Sequence, residues 1–374
     1  MSVPARLSLA PAGDLAALEA IWRELEGRAA PSFFQSWTWV GCLAAERYPD
    51  PWLLRAERGG TLVGLALLNR RDGRLWLHES GVAWPDAVYI EHNGVLLARD
   101  AADLLPACLG RLLASGCLLH LSGIDAAHLA ALSERGVVRV LSSSAAPYVA
   151  LDALPPGPEG YLATLSANTR QQLRRSDRRL GGAAGLRMTG AATLEEALGF
   201  LDALAVLHQA SWTQRGRPGA FANPWFRRFH AELLARALPR GEADLLRIDG
   251  AAGPVGYLYN FRHRGRVLAY QSGFDYAAAG SHGKPGLSCH RAAIERARTE
   301  GDTAYDFLAG DSRYKRSLAG RTATPLHWLE AASLWSPAGL RLACREALLR
   351  LRGSGRQTPG VPPLCNSGGA HDGP

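Results

Sequence analysis

Apolar and polar positions fall into the same rhythm twice along the chain. From Leu53 to Gly81, short apolar runs are divided by Arg58-Gly59-Gly60 and by Gly73-Arg74; from Leu245 to Gly273 the divisions fall at Gly250 to Gly253 and at Gly265-Arg266. Runs of this length bounded by glycine predict β-meanders. The segments align without a gap at one offset of 192 residues: Leu53, Leu54 and Arg55 with Leu245, Leu246 and Arg247, Val63-Gly64 with Val255-Gly256, Arg70 with Arg262, and Ser80-Gly81 with Ser272-Gly273. Agreement in turns as well as letters predicts an internal duplication. The expected fold class is therefore α/β (α+β), with two tandem domains of related fold, each a twisted mixed sheet flanked by helices.

Aromatic-rich helical stretches, 33–47 and 225–238, precede the two meanders, and the first meander is followed by predicted helices over 100–115 and 126–135 and strands over 118–121 and 137–141. The run Leu154-Pro155-Pro156-Gly157-Pro158 suggests domains over 1–153 and 159–330, then a helical extension over 331–352. The Gly/Pro/Ser-rich residues 353–374 lack an apolar period and are expected to be disordered.

The second copy continues with a strand over 267–274, a glycine-containing loop from Asp275 to Gly286, a helix over 287–300 stopped by Gly301, and a strand over 304–308. In such a unit, loop amides and the helix N-terminus face an anion together. Gly283, Lys284, Gly286, Leu287 and Ser288 are therefore candidates for holding a cofactor pyrophosphate, the alternative being a plain βαβ connection. A helix carrying Arg170, Arg174 and Arg178 at four-residue spacing, with Arg175 and Arg179 beside them and Asp177 as its acid, invites an anionic ligand; a solvated cationic face is the other reading.

Composition changes this picture little. The 374 residues, 47% hydrophobic and 20% charged, describe a soluble globular protein. The longest apolar stretch, Leu104 to Leu121, is interrupted by Arg111 and is too short to span a bilayer. Asp14, Glu19 and Glu24 near the start leave no signal-peptide core, so a cytoplasmic location is expected, with peripheral contact at the inner membrane allowed. Six scattered cysteines without a CxxC pair argue against a zinc site, and no metal is expected. A net charge of +8 favours acidic partners such as coenzyme phosphates, tRNA or anionic membrane. Lys284 and Lys315 are the only lysines among 42 basic residues, which marks them for work a guanidinium does badly. Hydrolase readings fail for want of a Gly-x-Ser-x-Gly elbow, and neither a His-Glu-x-x-His nor a Walker loop is present.

Several motifs carry a family resemblance. They are Asn168-Thr169-Arg170-Gln171-Gln172-Leu173-Arg174-Arg175; Leu207-His208 with Ser211-Trp212 and Arg215-Gly216; Tyr270-Gln271-Ser272-Gly273-Phe274-Asp275; and Tyr305-Asp306-Phe307-Leu308-Ala309-Gly310-Asp311-Ser312-Arg313-Tyr314-Lys315. In this order the chain resembles the CelD-like (BioF-type) bacterial acetyltransferases of the GNAT superfamily, and more distantly the Fem-type peptidoglycan aminoacyltransferases. The resemblance implies two tandem GNAT-like domains, the first non-catalytic. It also implies transfer of an acyl group from acetyl-CoA or another acyl-CoA to an amine or sugar acceptor in cell-envelope or exopolysaccharide metabolism.

Such a reaction needs a neutral amine, a stabilised oxyanion and a proton for the leaving thiolate. The resemblance places Lys315 at the reaction centre, for the oxyanion or a phosphate; the needs of the reaction point to Tyr314 or Tyr270 for the proton and Asp306 or Asp275 as relay, with a cap or a partner for an arginine as the other reading of Asp306. Arg170, Arg174, Arg175, Trp212 and Gln271 are the candidate substrate contacts, with a core anchor as the other reading of Trp212 and a structural role expected for His208. The rival functions are a Fem-like transferase using aminoacyl-tRNA and a peptidoglycan precursor, and a non-catalytic binding protein of a polysaccharide-synthesis system.

Overall fold

The computed structural model describes residues 4–351 apart from 84, 158, 281, 282 and 311. The expected disordered tail lies outside the described residues, as does Asp311. The described residues form two compact units, one of residues 4–144 together with 325–351, the other of Ala145–Thr324.

In the first unit β1 (Ala5–Pro11), α1 (Leu15–Arg28) and α2 (Trp37–Arg47) lead into the antiparallel meander β2 (Pro51–Arg58), β3 (Thr61–Arg71) and β4 (Arg74–Leu77). A two-residue β5 (Leu96–Leu97) adds to β3; α3 (Leu105–Leu113) then crosses to β6 (Leu118–Ile124), which runs parallel to β4. α4 (Ala126–Ser133) leads to the long β7 (Val137–Ala150), whose residues 145–150 belong to the second unit.

The second unit opens with α5 (Gly160–Thr164) and the basic α6 (Ala167–Gly181), N-capped by Ser166, and then repeats the plan. β8 (Arg187–Gly190), α7 (Leu194–Gln214) and α8 (Pro224–Ala237) precede the meander β9 (Ala243–Gly250), β10 (Gly253–His263) and β11 (Arg266–Phe274). After α9 (Tyr276–Ala279), α10 (Pro285–Thr299) crosses to β12 (Ala304–Asp306), parallel to β11 and paired on its far side with residues 148–150 of β7. α11 (Arg313–Ala319) follows, then β13 (Ala323–Ala332), which returns to the first unit beside β6, and α12 (Pro337–Leu351).

The 192-residue offset survives in three dimensions. The bounds of β2 and β3 become those of β9 and β10, and both hairpins take one extra residue at the same place, Val63 and Val255. The following glycine is forced in each copy: a Cβ on Gly64 would lie 2.7 Å from Leu97, and one on Gly256 would lie 2.7 Å from Phe274. The next turns match as well, Asp72-Gly73 and Arg264-Gly265 each adopting positive φ at both residues, as a two-residue turn of the right twist requires.

Residues 154–157 lie within the second unit, where Pro155 and Gly157 carbonyls accept hydrogen bonds from Arg298. Residues 323–332 form one strand, β13, whose residues from Pro325 belong with the first unit. Apolar alternation identifies a strand without saying which sheet edge it joins, so the return was not visible in the pattern. The second unit's core gathers Tyr161, Leu173, Ile248, Leu258, Phe274, Ile294, Tyr305 and Phe307 between sheet and helices.

Candidate active site in the second unit

Two strands part at the centre of the second unit. The parallel ladder between β11 and β12 lasts three residues, Arg266↔Ala304 to Leu268↔Asp306, while β11 runs on to Phe274. On its other side β11 carries one more residue than β10 at Tyr270, since Tyr259 faces Gln271 and Asn260 faces Ala269. A bulge of this kind bends the strand and re-aims its side chains. Beyond Asp306 the chain follows β7 instead, with Phe307 and Gly310 amides donating to Pro147 and Ala145 carbonyls.

That departure is held by a buried polar relay. Both Asp306 oxygens are engaged: Oδ2 accepts from Arg266 Nη2 at 2.7 Å and Nε at 3.2 Å, and Oδ1 accepts from the Leu308 amide at 2.7 Å. Leu308 thereby takes a φ of 59°, costly for a leucine, and its carbonyl turns toward Lys315. Lys315 is fully buried on α11, and its Nζ donates to Ala309 O at 2.7 Å and Leu308 O at 3.2 Å. A Cβ on Gly310 would stand 3.1 Å from that Nζ, so the space fits an ammonium and not a guanidinium. In this geometry Asp306 shapes the turn, consistent with the reading of it as an arginine partner, and Lys315 fastens the same turn.

The neighbouring wall is aromatic. Tyr314 stacks on His290 of α10 with centroids 5.7 Å apart, and His290 also meets Phe307 at 5.2 Å and Phe274, at the end of β11, at 5.8 Å. His290 Nδ1 bonds Tyr305 Oη at 2.9 Å, while its buried Nε2 has no hydrogen-bond partner. Burial, reinforced by the Lys315 charge, lowers its pKa to about 3, so the ring is neutral. The sequence reading missed His290, because one histidine among helical apolar positions carries no signal. Asn260, opposite the bulge, is 1% exposed with neither amide atom paired.

The glycine loop lies close by. Gly286 approaches Phe274 and Tyr276 so nearly that a Cβ would sit 3.2 Å and 3.5 Å from them. The first turn of α10 has no side-chain cap and no acidic residue. Its anchor is α6: the Lys284 amide donates to Ser176 Oγ at 2.9 Å, and Ser176 Oγ bonds Ser288 Oγ at 2.8 Å. Ser288 and Leu287 are thus spent on packing, and Gly283 and Gly286 are buried as well, which leaves Lys284 half-buried at the head of the helix. Arg174, Arg175, Arg178 and Arg179 are exposed on α6; a Cβ on Gly280 would stand 3.6 Å from Arg179 Nη2, so this cationic face borders the loop. Arg170 instead bonds the Leu165 carbonyl, and Arg174 pairs with Glu159 at 3.3 Å across exposed surface.

The remaining expected residues separate. Asp275 caps α9, Oδ1 accepting from the Ala278 amide at 2.9 Å. Tyr270 is fully buried, with Phe261, His230 and Phe226 rings at 4.8, 5.0 and 6.4 Å, on the side packed by α8. Trp212, at the end of α7, and Gln271 are both buried, and Trp212 packs against His208 at 5.8 Å. Among the described residues no group of three His, Cys, Asp or Glu side chains could hold a metal ion.

Residues 167–316 match the acetyltransferase (GNAT) domain family. No curated protein matches the sequence. Among solved structures the chain is similar to FemX, at 10% identity and a TM-score of 0.56, covering 89% of this chain and 98% of that one. It is also similar to the C-terminal DUF2156 domain of a protein assigned as a lysylphosphatidylglycerol synthetase from Agrobacterium fabrum, at 12% identity and a TM-score of 0.55, covering 90% and 97%. At such identities these two likenesses speak for the fold alone. The second unit contains an acetyltransferase domain of the GNAT family, and the chain that carries it is an acyltransferase.

Proposed function

We propose that the second unit is an acyl-CoA-dependent N-acyltransferase of the CelD-like kind, acting on an amine or amine-bearing sugar in envelope or exopolysaccharide metabolism. The observation that carries this reading is the parting of β11 from β12 beside the uncapped first turn of α10. An extended, amide-bearing arm such as pantetheine adds to a strand edge by main-chain hydrogen bonds. Its pyrophosphate then falls to the loop amides and the α6 arginines, where helix dipole and guanidinium charge act together. The thioester is left beside the Tyr314 and His290 wall. Much of the rate gain is positional, with amine and carbonyl held in line. Tyr314 is assigned the leaving-group proton, and Lys315, by fastening the 308–310 turn, fixes the wall on which Tyr314 stands.

The exposed arginines of α6 also favour a second reading, an aminoacyl-tRNA donor. Heat stabilisation separates the two. Acetyl-CoA at a hundred times its Kd stabilises the folded state by about 2.7 kcal/mol if it is the donor. Stabilisation by aminoacyl-tRNA alone would transfer the protein to the second reading, and stabilisation by neither would leave a binding protein.

A further inference from the structure

We infer that the α7 side of β11 holds the pocket for the acyl acceptor, with His208 Nε2 receiving a hydrogen bond from its amine or an adjacent hydroxyl; this rests on the acyltransferase reading above. The tautomer of His208 follows from its partner. Its Nδ1 lies 3.1 Å from the Ser272 carbonyl, which only accepts, so Nδ1 carries the proton and Nε2 presents a lone pair. Burial, partly offset by that bond and then deepened by the Arg215 charge, brings the pKa to about 4, so the ring stays neutral at pH 7. His208 is 4% exposed, yet Nε2 has no partner. A buried acceptor left bare costs about 1–3 kcal/mol unless a ligand or an ordered water serves it.

Three neighbours share the condition: Gln209 Oε1, on the next residue of α7 and 2.0 Å from where a Cβ on Gly219 would stand, has no hydrogen-bond partner either. Gln271 Oε1, on the residue before Ser272, and Trp212 Nε1, one helical turn beyond His208, are both buried without a hydrogen-bond partner. Trp212 and Phe221 rings stand 5.8 and 5.3 Å from the imidazole. Gly219 closes over the group, a Cβ there meeting His208 Cδ2 at 3.0 Å, and the preceding turn over 213–218 is exposed throughout. Gln271 follows the bulge at Tyr270, so this group shares the strand segment that leaves β12.

The chemistry of the lining selects the ligand. Three neutral acceptors, one donor and two flat apolar rings suit a ring compound bearing amine and hydroxyl groups, an aminosugar type. The Arg215 guanidinium, 5.8 Å from the Trp212 ring centroid, disfavours a polyamine or any acceptor bringing further positive charge.

The test uses the full-length protein labelled with 15N-histidine, with D-glucosamine and spermine as probes. The His208 Nε2 resonance, assigned by its loss in His208→Gln, is expected to move with glucosamine and to stay with spermine. Acetyl-CoA heat stabilisation is measured on the same samples. In acetyl transfer to glucosamine, His208→Phe is expected to raise the acceptor KM at least tenfold and keep the acetyl-CoA KM within twofold, with partial recovery in His208→Gln. A resonance that ignores both probes, as when an ordered water alone serves Nε2, or one that answers only spermine, overturns the inference. Absence of acetyl-CoA stabilisation strikes the donor reading instead and leaves the resonance to decide the pocket.

Discussion

Lys315 is a buried ammonium bonded to two carbonyls, and its neighbours set what may replace it. Lys315→Arg inserts a larger, planar cation where Gly310 leaves room for a compact one. It is expected to cost about 1–3 kcal/mol by overpacking, read as a lower urea midpoint, and to reduce kcat more than donor KM. Full activity and unchanged stability would detach Lys315 from both roles. The sequence marked this lysine by its rarity, but not its mode of action, because burial and carbonyl contacts leave no trace in residue order. His208 and His290 were still less legible: each is one histidine in a helix, and only the paired Nδ1 with a bare Nε2 distinguishes it. Burial holds His208 and His263 near pKa 4 and His230 and His290 near 3, below the unfolded value of about 6.5. Above that value neither state binds these protons; below it only the unfolded chain does, so stability falls as pH drops from 6.5 toward 4. Replacing His230 by Phe removes one such proton and should reduce the stability lost between pH 6.5 and 5 by about 2 kcal/mol. Identical pH slopes for both proteins would show that His230 is not held neutral.

Element by element, the repeat was readable because turn chemistry is local. Positive-φ turns at 72–73 and 264–265 and bulges at Val63 and Val255 each follow from a few adjacent residues. Where the copies diverge, the cause is again local. His78 takes a φ of 56° as β4 ends, whereas Tyr270, 192 residues on, is absorbed as a bulge and β11 continues to Phe274. The departure of the chain after β12 along β7 and the anchoring of the loop on α6 depend on contacts across more than a hundred residues and were beyond the pattern. α6 carries its own prediction. Arg175→Ala with Arg179→Ala should raise the acetyl-CoA Kd about tenfold and flatten its salt dependence, since the lost interactions are exposed and screened. An unchanged Kd at low salt would return α6 to a solvated cationic face.

At the scale of the whole molecule, the units differ in their buried charge. In the first unit Glu79 is 6% exposed, and burial, with Asp86 adding to it, holds its pKa well above the ordinary value. A raised carboxyl pKa withdraws stability as pH climbs past the unfolded value of about 4.3. Glu79→Gln is therefore expected to raise Tm by several degrees at pH 8 and hardly at all at pH 4.5; a uniform loss at both would show the carboxylate to be paired. The two-copy plan was legible, but the return of 325–332 to the first unit was not, since it joins strands two hundred residues apart. Hydrogen exchange with and without acetyl-CoA tests the central claim, that the donor lies along the freed edge of β11 and at the first turn of α10. Protection gathered on residues 269–274 and 286–288 is the predicted result. Protection confined to other segments, with these amides exchanging as before, would contradict it.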